Sequence, residues 1–404
     1  MPNALIIAYT HFATDGRVRR QAEALAVSGW HVDVICVAGQ NDDQAQPNVV
    51  VHTVRMARYQ GKSRASYARS YARFFFGATA LAARLYSRRR HELAVVCTMP
   101  DLAVVTALVP RIRGAKLLLD VHDTMPELYE DKFAGRWARF GSGLLRLEER
   151  LSAVLAHRVL AVHEPHRHRL MEAGVPARKI RVLLNLPQRN VFDRAKALSK
   201  RPALLEPLAK KFVVSWHGTM SKRLGVDIAL PAFALARKQC PDLHLLLIGS
   251  GDQAPEVRGL ICQLGLQESV TMTERWLPLA ELPAVLARTS LGLVPNRDTR
   301  ATRLMLPEKL LEYAMLGIPV VAARLPTIQY YFRDSIAYFS PEKSDELAEA
   351  IVRLRQDERL RRELQLRAAN VLQQLEAEQK ARPYMSVVNE MVNNRGGEML
   401  GTAA

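Results

Sequence analysis

Leu306-Pro307-Glu308-Lys309-Leu310-Leu311-Glu312-Tyr313-Ala314-Met315-Leu316-Gly317-Ile318-Pro319-Val320-Val321 contains a helix, its stop and the strand that follows. Pro307 suits the opening of a helix, and Gly317 suits its close. Ile318, Val320 and Val321 then begin a strand with no polar face, the kind that lies in a parallel sheet covered by helices on both sides. Working outward, the same alternation recurs. In the second half the expected strands are Phe212–Trp216, Leu243–Ile248, Val270–Thr273, Leu291–Val294 and Val320–Ala322. In the first half they are Ala4–Ala8, His31–Val37, Val49–Val54, Ala94–Cys97, Lys116–Val121, Val159–Val162 and Val182–Leu184. Helical patterns such as Arg17–Ser28 and Gly143–Ala156 separate them.

Two stacks of βα units predict two Rossmann-like domains facing one another across a cleft, with ligands at the carboxyl ends of the strands. Residues 186–210 are rich in Pro, Arg and Lys and carry no clear periodicity. The expected division is a first domain over 1–190, a linker over 191–210, a second domain over 211–375 and a helical tail over 376–404.

The chain has 404 residues, 49% hydrophobic and 24% charged, enough for full cores in two domains. Its four cysteines lie far apart with no CxxC spacing, which argues against a disulfide framework or a cysteine zinc site and fits a reducing compartment. The first residues lack a basic n-region, and no apolar run approaches the ~18–20 residues that span a bilayer. A cytoplasmic protein is expected.

The net charge is +17, and residues 1–200 hold 31 Lys/Arg against 17 Asp/Glu. Residues 51–90 hold ten basic residues and no acid. Over 67–90 those cations interleave with Phe74, Phe75, Phe76, Leu81, Leu85 and Tyr86. Such a helix suits an anionic membrane surface, at the inner face of the cell membrane, or else packs its apolar stripe on its own sheet. A basic chain also suits nucleic acid, but no recognition motif supports that partner and none is expected.

Three stretches of the second half suit a phosphorylated ligand. Trp216-His217-Gly218-Thr219-Met220-Ser221-Lys222-Arg223 follows the opening strand, so a glycine turn at Gly218 frees backbone N–H groups beside Lys222 and Arg223. Gly249-Ser250-Gly251 ends the next strand, where glycines either admit a ligand to the backbone or simply turn the chain. The helix opened by Pro307 offers free N–H donors with Lys309 in its first turn, and Glu312 shares a face with Lys309. A carboxylate at Glu312 can accept from two ribose hydroxyls, or pair with Lys309.

In the first half, Asp120-Val121-His122-Asp123 ends a strand, where catalytic groups of α/β folds collect. His122 can pass protons near neutrality; alternatively the cluster is a polar strand end with capping acids. His163-Glu164-Pro165-His166-Arg167-His168 fails the spacing of a helical metal motif, since Arg167 stands where a histidine is needed.

In order along the chain, Asp15-Gly16-Arg17-Val18, Asp120-Val121-His122-Asp123, Val162-His163-Glu164-Pro165, Asn185, His217-Gly218-Thr219, Gly249-Ser250-Gly251 and Pro307–Val320 resemble glycosyltransferase family 4. These are retaining enzymes of the GT-B fold, and the chain is most similar to bacterial members that build surface or capsular polysaccharide. The resemblance implies a hexosyl transfer with retention, from a nucleoside diphosphate sugar held by the second half to a hydroxyl of a glycan or lipid-linked acceptor held by the first. It implies no metal and no cofactor beyond the donor, with C-terminal helices packing back toward the N-terminal domain. His122 and Asp123 fall at the catalytic position. Gly218, Lys222, Arg223, Gly249, Gly251, Pro307 and Lys309 fall around the diphosphate, and Glu312 matches the family's second glutamate, on the ribose. The family's first glutamate falls at Leu304, which leaves Asp298, Arg300 or Arg303 for the sugar, and its usual arginine after the strand glycine falls at Thr219. A nucleotide-sugar epimerase on the same fold and a non-catalytic nucleotide-sugar or nucleic-acid binder remain alternatives.

Overall fold

The computed structural model describes residues 1–39, 47–56, 64–97, 101–133 and 136–393, with the side chains of 64–68, 101–102 and 136–139 excepted. The tail's last residues, 394–404, and residues 57–63 of the basic segment lie outside the described residues. The chain divides into two compact units, one of 1–185 with 379–404 and one of 186–378.

Thirteen short strands form two sheets among the described residues. β1 (Asn3–Ala8), β2 (His31–Val37), β3 (Val49–Val54), β4 (Leu93–Cys97), β5 (Lys116–Val121), β6 (Arg158–Ala161) and β7 (Ile180–Val182) build the first, in order β3-β2-β1-β4-β5-β6-β7. β8 (Phe212–His217), β9 (Leu243–Ile248), β10 (Val270–Met272), β11 (Leu291–Val294), β12 (Val320–Ala323) and β13 (Ala337–Phe339) build the second, in order β10-β9-β8-β11-β12-β13. Every pairing is parallel, and both orders are of the Rossmann type, reversing beside the first strand. The central strands are buried along their length, as their unbroken apolar runs require.

In the first unit the helix Gly16–Val27 begins where the Asp15 carboxylate accepts from the N–H groups of Arg17 and Val18. Its Val18, Ala22 and Leu25 pack on one face of the sheet. The opposite face is covered by the helix Arg64–Arg88, whose Phe74, Ala78, Ala82 and Leu85 join that core, with Tyr86 also buried. The aromatic side of the basic segment is thus spent largely on its own sheet, Phe76 being the exposed member. The C-terminal helix Tyr384–Asn393 belongs to this unit: Tyr384, Val387, Val388 and Met391 share a core with Ala4, Ile6, Trp30 and Val32. Glu390 on its outer side accepts from Arg158 and Arg181, 2.7 Å each.

In the second unit, residues 191–210 carry a helix, Arg194–Ser199, and a 3-10 turn, Ala203–Leu208. They are tied down by Arg288, which donates to the carbonyls of Leu198 and Lys200 (2.7 Å each). β13 adds a strand beyond the expected set, and β7 lies two residues earlier than its apolar run suggested. Among the described residues no helix is long and apolar enough to cross a membrane.

Candidate functional site

The order of the second sheet reverses between β8 and β11, the place where open α/β sheets leave a crevice beyond their strand ends. β8 runs into Gly218, at φ +133°, a conformation open to glycine. Gly218 N–H donates to the Ile248 carbonyl and Met220 N–H to the Ser250 carbonyl, 2.9 Å each, so the loops after β8 and β9 lie backbone to backbone. A Cβ on Gly249 would stand 2.0 Å from the Gly218 oxygen, and one on Gly251 2.4 Å from the Met220 oxygen. These two glycines serve loop-to-loop contact. A Cβ on Gly218 would stand 3.1 Å from Lys309 Nζ.

Lys309 enters from the first turn of the helix Glu308–Met315, with Pro307 at the N-cap. Its ammonium is buried 4.2 Å from the centre of the Trp216 ring and has no hydrogen-bond partner among the described residues. Burial pulls its pKa down to about 7; Glu312 opposes the shift and Arg223 adds to it. Glu312 does not pair with Lys309 by a hydrogen bond. It accepts instead from His217 Nε2 at 2.6 Å, an arrangement that fixes the histidine tautomer and leaves His217 Nδ1 buried and unpaired. The Tyr313 hydroxyl beneath donates to the Ser215 carbonyl at 2.9 Å.

The turn after Gly218 is joined to the loop after β11. Arg297 N–H donates to the Arg223 carbonyl at 2.9 Å, and the Arg297 guanidinium to the Lys222 carbonyl at 3.1 Å. Six buried polar atoms of this region lack any partner among the described residues: Trp216 Nε1, His217 Nδ1, Ser221 Oγ, Arg223 Nε, Asn296 Oδ1 and Lys309 Nζ. Buried polar groups are normally satisfied, and this set is rich in N–H and O–H donors with two cations among them. The four donors among them, on Trp216, Ser221, Arg223 and Lys309, could hold an anion.

Lys222 itself is exposed. Asp298 is exposed too and is taken by Arg303 in a fork of 2.6 and 2.9 Å, which also holds its carboxyl below the usual range. Two of the residues offered for the donor sugar therefore engage each other. Leu304 caps the short helix Arg300–Arg303 and is half-buried.

In the first unit Asp120, at the end of β5, is fully buried and is the hub of the site. Arg17 donates to both of its oxygens (2.8 and 2.7 Å), Gln21 donates to Oδ2, and His122 Nε2 lies 2.9 Å from Oδ2. Burial pushes the Asp120 carboxyl up, but Arg17 and then His122 hold it far below the ordinary range. Burial in turn pulls His122 down, and Asp120 outweighs it, so the imidazole pKa is raised. Asp123 is exposed, and the carboxylate within hydrogen-bond distance of His122 is Asp120, two residues earlier. Cys97, Asp120 and His122 offer ligand atoms within 4.8 Å of one another, yet Arg17 already occupies both Asp120 oxygens, and a metal cation would meet that guanidinium.

His163 caps the helix Glu164–Glu172, accepting from His166 N–H at 3.0 Å. His166 is buried, and burial, then His163 and Arg169, hold its pKa well below the usual value. Arg169, on the same helix, forks onto Glu127 at 2.9 Å and also reaches buried Glu149. Sequence reasoning had given no role to Asp120 as the hub, to His217 or to Asn296.

Residues 15–185 match the glycosyl transferase 4-like domain, and residues 211–357 match glycosyl transferases group 1. An exopolysaccharide phosphotransferase of Streptomyces coelicolor is 33% identical over 42% of this chain, although the match spans only 18% of that protein's length. Alpha-D-kanosaminyltransferase of Streptomyces kanamyceticus is 25% identical over 65% of this chain and 67% of its own. Among solved structures, Anabaena HepE in complex with UDP and glucose superposes with a TM-score of 0.67 at 18% identity, covering 94% of this chain and all of that one. With both halves matched in order and both sheets of the Rossmann type, the chain belongs to the family 4-like glycosyltransferases of the GT-B fold.

Proposed function

We propose that the chain transfers a hexosyl unit from a nucleoside diphosphate sugar, bound by the second unit, to a hydroxyl of a glycan acceptor bound by the first. The observation that carries this reading is the set of six unpaired buried polar atoms at the β8–β11 reversal. A diphosphate would accept from Lys309, Arg223 and Ser221 together. Glu312, held by His217, would present its other oxygen to the ribose. The kanosaminyl transfer in the name of one relative and the UDP bound in the Anabaena structure support the same class of donor.

Departure of the diphosphate develops negative charge, and pre-set cations in a dry site are worth most at that moment. Retention follows when the acceptor hydroxyl enters on the face that the diphosphate leaves, with the departing phosphate oxygen taking its proton. His122, aligned by Asp120, positions the acceptor hydroxyl. No metal is required for this, since Lys309 and Arg223 supply the positive charge. The acceptor class is a lipid-linked glycan in surface polysaccharide assembly.

The test is to incubate the protein, with and without EDTA, with nucleoside diphosphate sugars and a set of glycan acceptors. The reading predicts acceptor-dependent release of nucleoside diphosphate, a product that keeps the donor's anomeric configuration, and indifference to EDTA. Rearranged or free sugar formed without any acceptor would favour the epimerase instead.

A further inference from the structure

Arg223 is not held in place by its own side chain. Its Nε is buried without a partner among the described residues, as is the Ser221 hydroxyl. Burial lowers the Lys309 pKa and Arg223 lowers it further, against the pull of Glu312, so the two cations stand near enough to repel. Like charges that converge with no anion between them must be kept there by the backbone that carries them. For Ser221 and Arg223 that backbone is the 3-10 turn Lys222–Leu224, with Ser221 at its N-cap.

The turn is gripped by Arg297, from the loop after β11. Arg297 N–H donates to the Arg223 carbonyl at 2.9 Å, and Arg297 Nε to the Lys222 carbonyl at 3.1 Å. The two remaining nitrogens of the guanidinium end on acids. Nη2 donates to Asp227, in the first turn of the helix Val226–Gln239, and Nη1 lies 3.1 Å from Glu342 Oε2. Gly225 closes the turn at φ +69°, where a Cβ would stand 1.8 Å from the Pro295 oxygen, so turn and loop meet backbone to backbone. Glu342 itself sits at φ +66°, a setting that few residues other than glycine adopt. Arg297 thus spends its whole fork on one carbonyl and two carboxylates, and those acids offset its charge. What it contributes to the pocket is geometry.

We propose that Arg297 is a positioning residue of the donor site, setting the Ser221–Arg223 turn so that the Arg223 guanidinium and the Ser221 hydroxyl meet the diphosphate together. This inference rests on the donor-site reading above. A turn fixed before the ligand arrives has less to lose in ordering when it binds.

The test is isothermal calorimetry of the full chain with UDP, GDP, ADP and dTDP, repeated on variants with whichever binds. Arg223→Gln should weaken binding about tenfold or more, as loss of a charge-assisted bond to phosphate does. Arg297→Gln should weaken it about fivefold, and Arg297→Lys nearly as much, since one ammonium cannot replace a planar fork. In the Arg223→Gln background, Arg297→Gln should add less than about twofold, because the turn then has no guanidinium to place. Urea midpoints of the same variants separate loss of binding from loss of fold. Full rescue by Arg297→Lys would make Arg297 a plain charge and overturn the proposal. An equal loss in both backgrounds would overturn it too, as general damage to the unit. If the wild type binds none of the four nucleotides, the donor-site reading falls and this inference with it. If Lys309→Met abolishes binding while Arg297→Gln binds like the wild type, this inference alone falls.

Discussion

Lys309 is a buried ammonium with nothing to hold, and that decides how its site responds to pH. Its pKa of about 7 means that above neutrality Lys309 is largely uncharged in the empty site, and a bound diphosphate would restore the proton. Calorimetry at pH 8.5 in buffers of different ionisation heat should show uptake of about one proton per nucleotide, with affinity falling up to about tenfold per pH unit above neutrality. Lys309→Met should abolish the uptake. The sign for folding is the reverse: the unfolded lysine keeps a proton that the empty native state has lost, so this group makes the unliganded protein more stable as pH rises from about 7 towards 10.5. The hub in the first unit gives a second contrast. Asp120→Asn strands the buried Arg17 charge and should cost about 3–5 kcal/mol in urea unfolding, while Asp123→Asn, at an exposed position, should stay within about 0.5 kcal/mol. Lys309 and Glu312 were legible because one short helix carries both. His217 was not, because its partner Glu312 lies 95 residues away. Asp120 was missed although it lies only two residues before His122.

The loop after β8 and the loop after β9 lie backbone to backbone where Gly249 and Gly251 carry no Cβ. Gly249→Ala, with φ +134° and a Cβ 2.0 Å from a backbone oxygen, should displace the Gly218 loop and remove nucleotide binding. Gly259→Ala, inside the helix Ala254–Gln263 with open space around it, should instead stabilise by about 0.4–1 kcal/mol; urea unfolding separates the two. Most strands were legible because buried parallel strands read as continuous apolar runs. β13, Ala337–Phe339, is too short to show a period. The Arg64–Arg88 helix looked like a surface binder because sequence shows its cations and aromatics but not which of them face the sheet.

The chain passes through the first unit, then the second, and returns to the first in its last helix. Tyr384, Val387, Val388 and Met391 fill the face of the first sheet's core, so a chain ending at residue 378 should lose more than about 5 kcal/mol from that unit; a lowered first transition in calorimetry would show it. The charged helical character of the tail was plain in the sequence. That its final helix shares a core with the first strands was legible only through the family resemblance, because a partner nearly 400 residues away leaves no local trace. The central claim concerns the second unit, which is proposed to bind the donor. Its most direct test is a thermal-shift titration of the full chain with UDP, GDP, ADP and dTDP, beside Lys309→Met, Glu312→Ala and His122→Ala. At about 100 times its dissociation constant, the right nucleotide should stabilise by roughly 2.7 kcal/mol. The account predicts that one nucleotide does so, that Lys309→Met and Glu312→Ala lose the shift, and that His122→Ala keeps it. A shift that survives both donor-site variants, or disappears with His122→Ala alone, would contradict it.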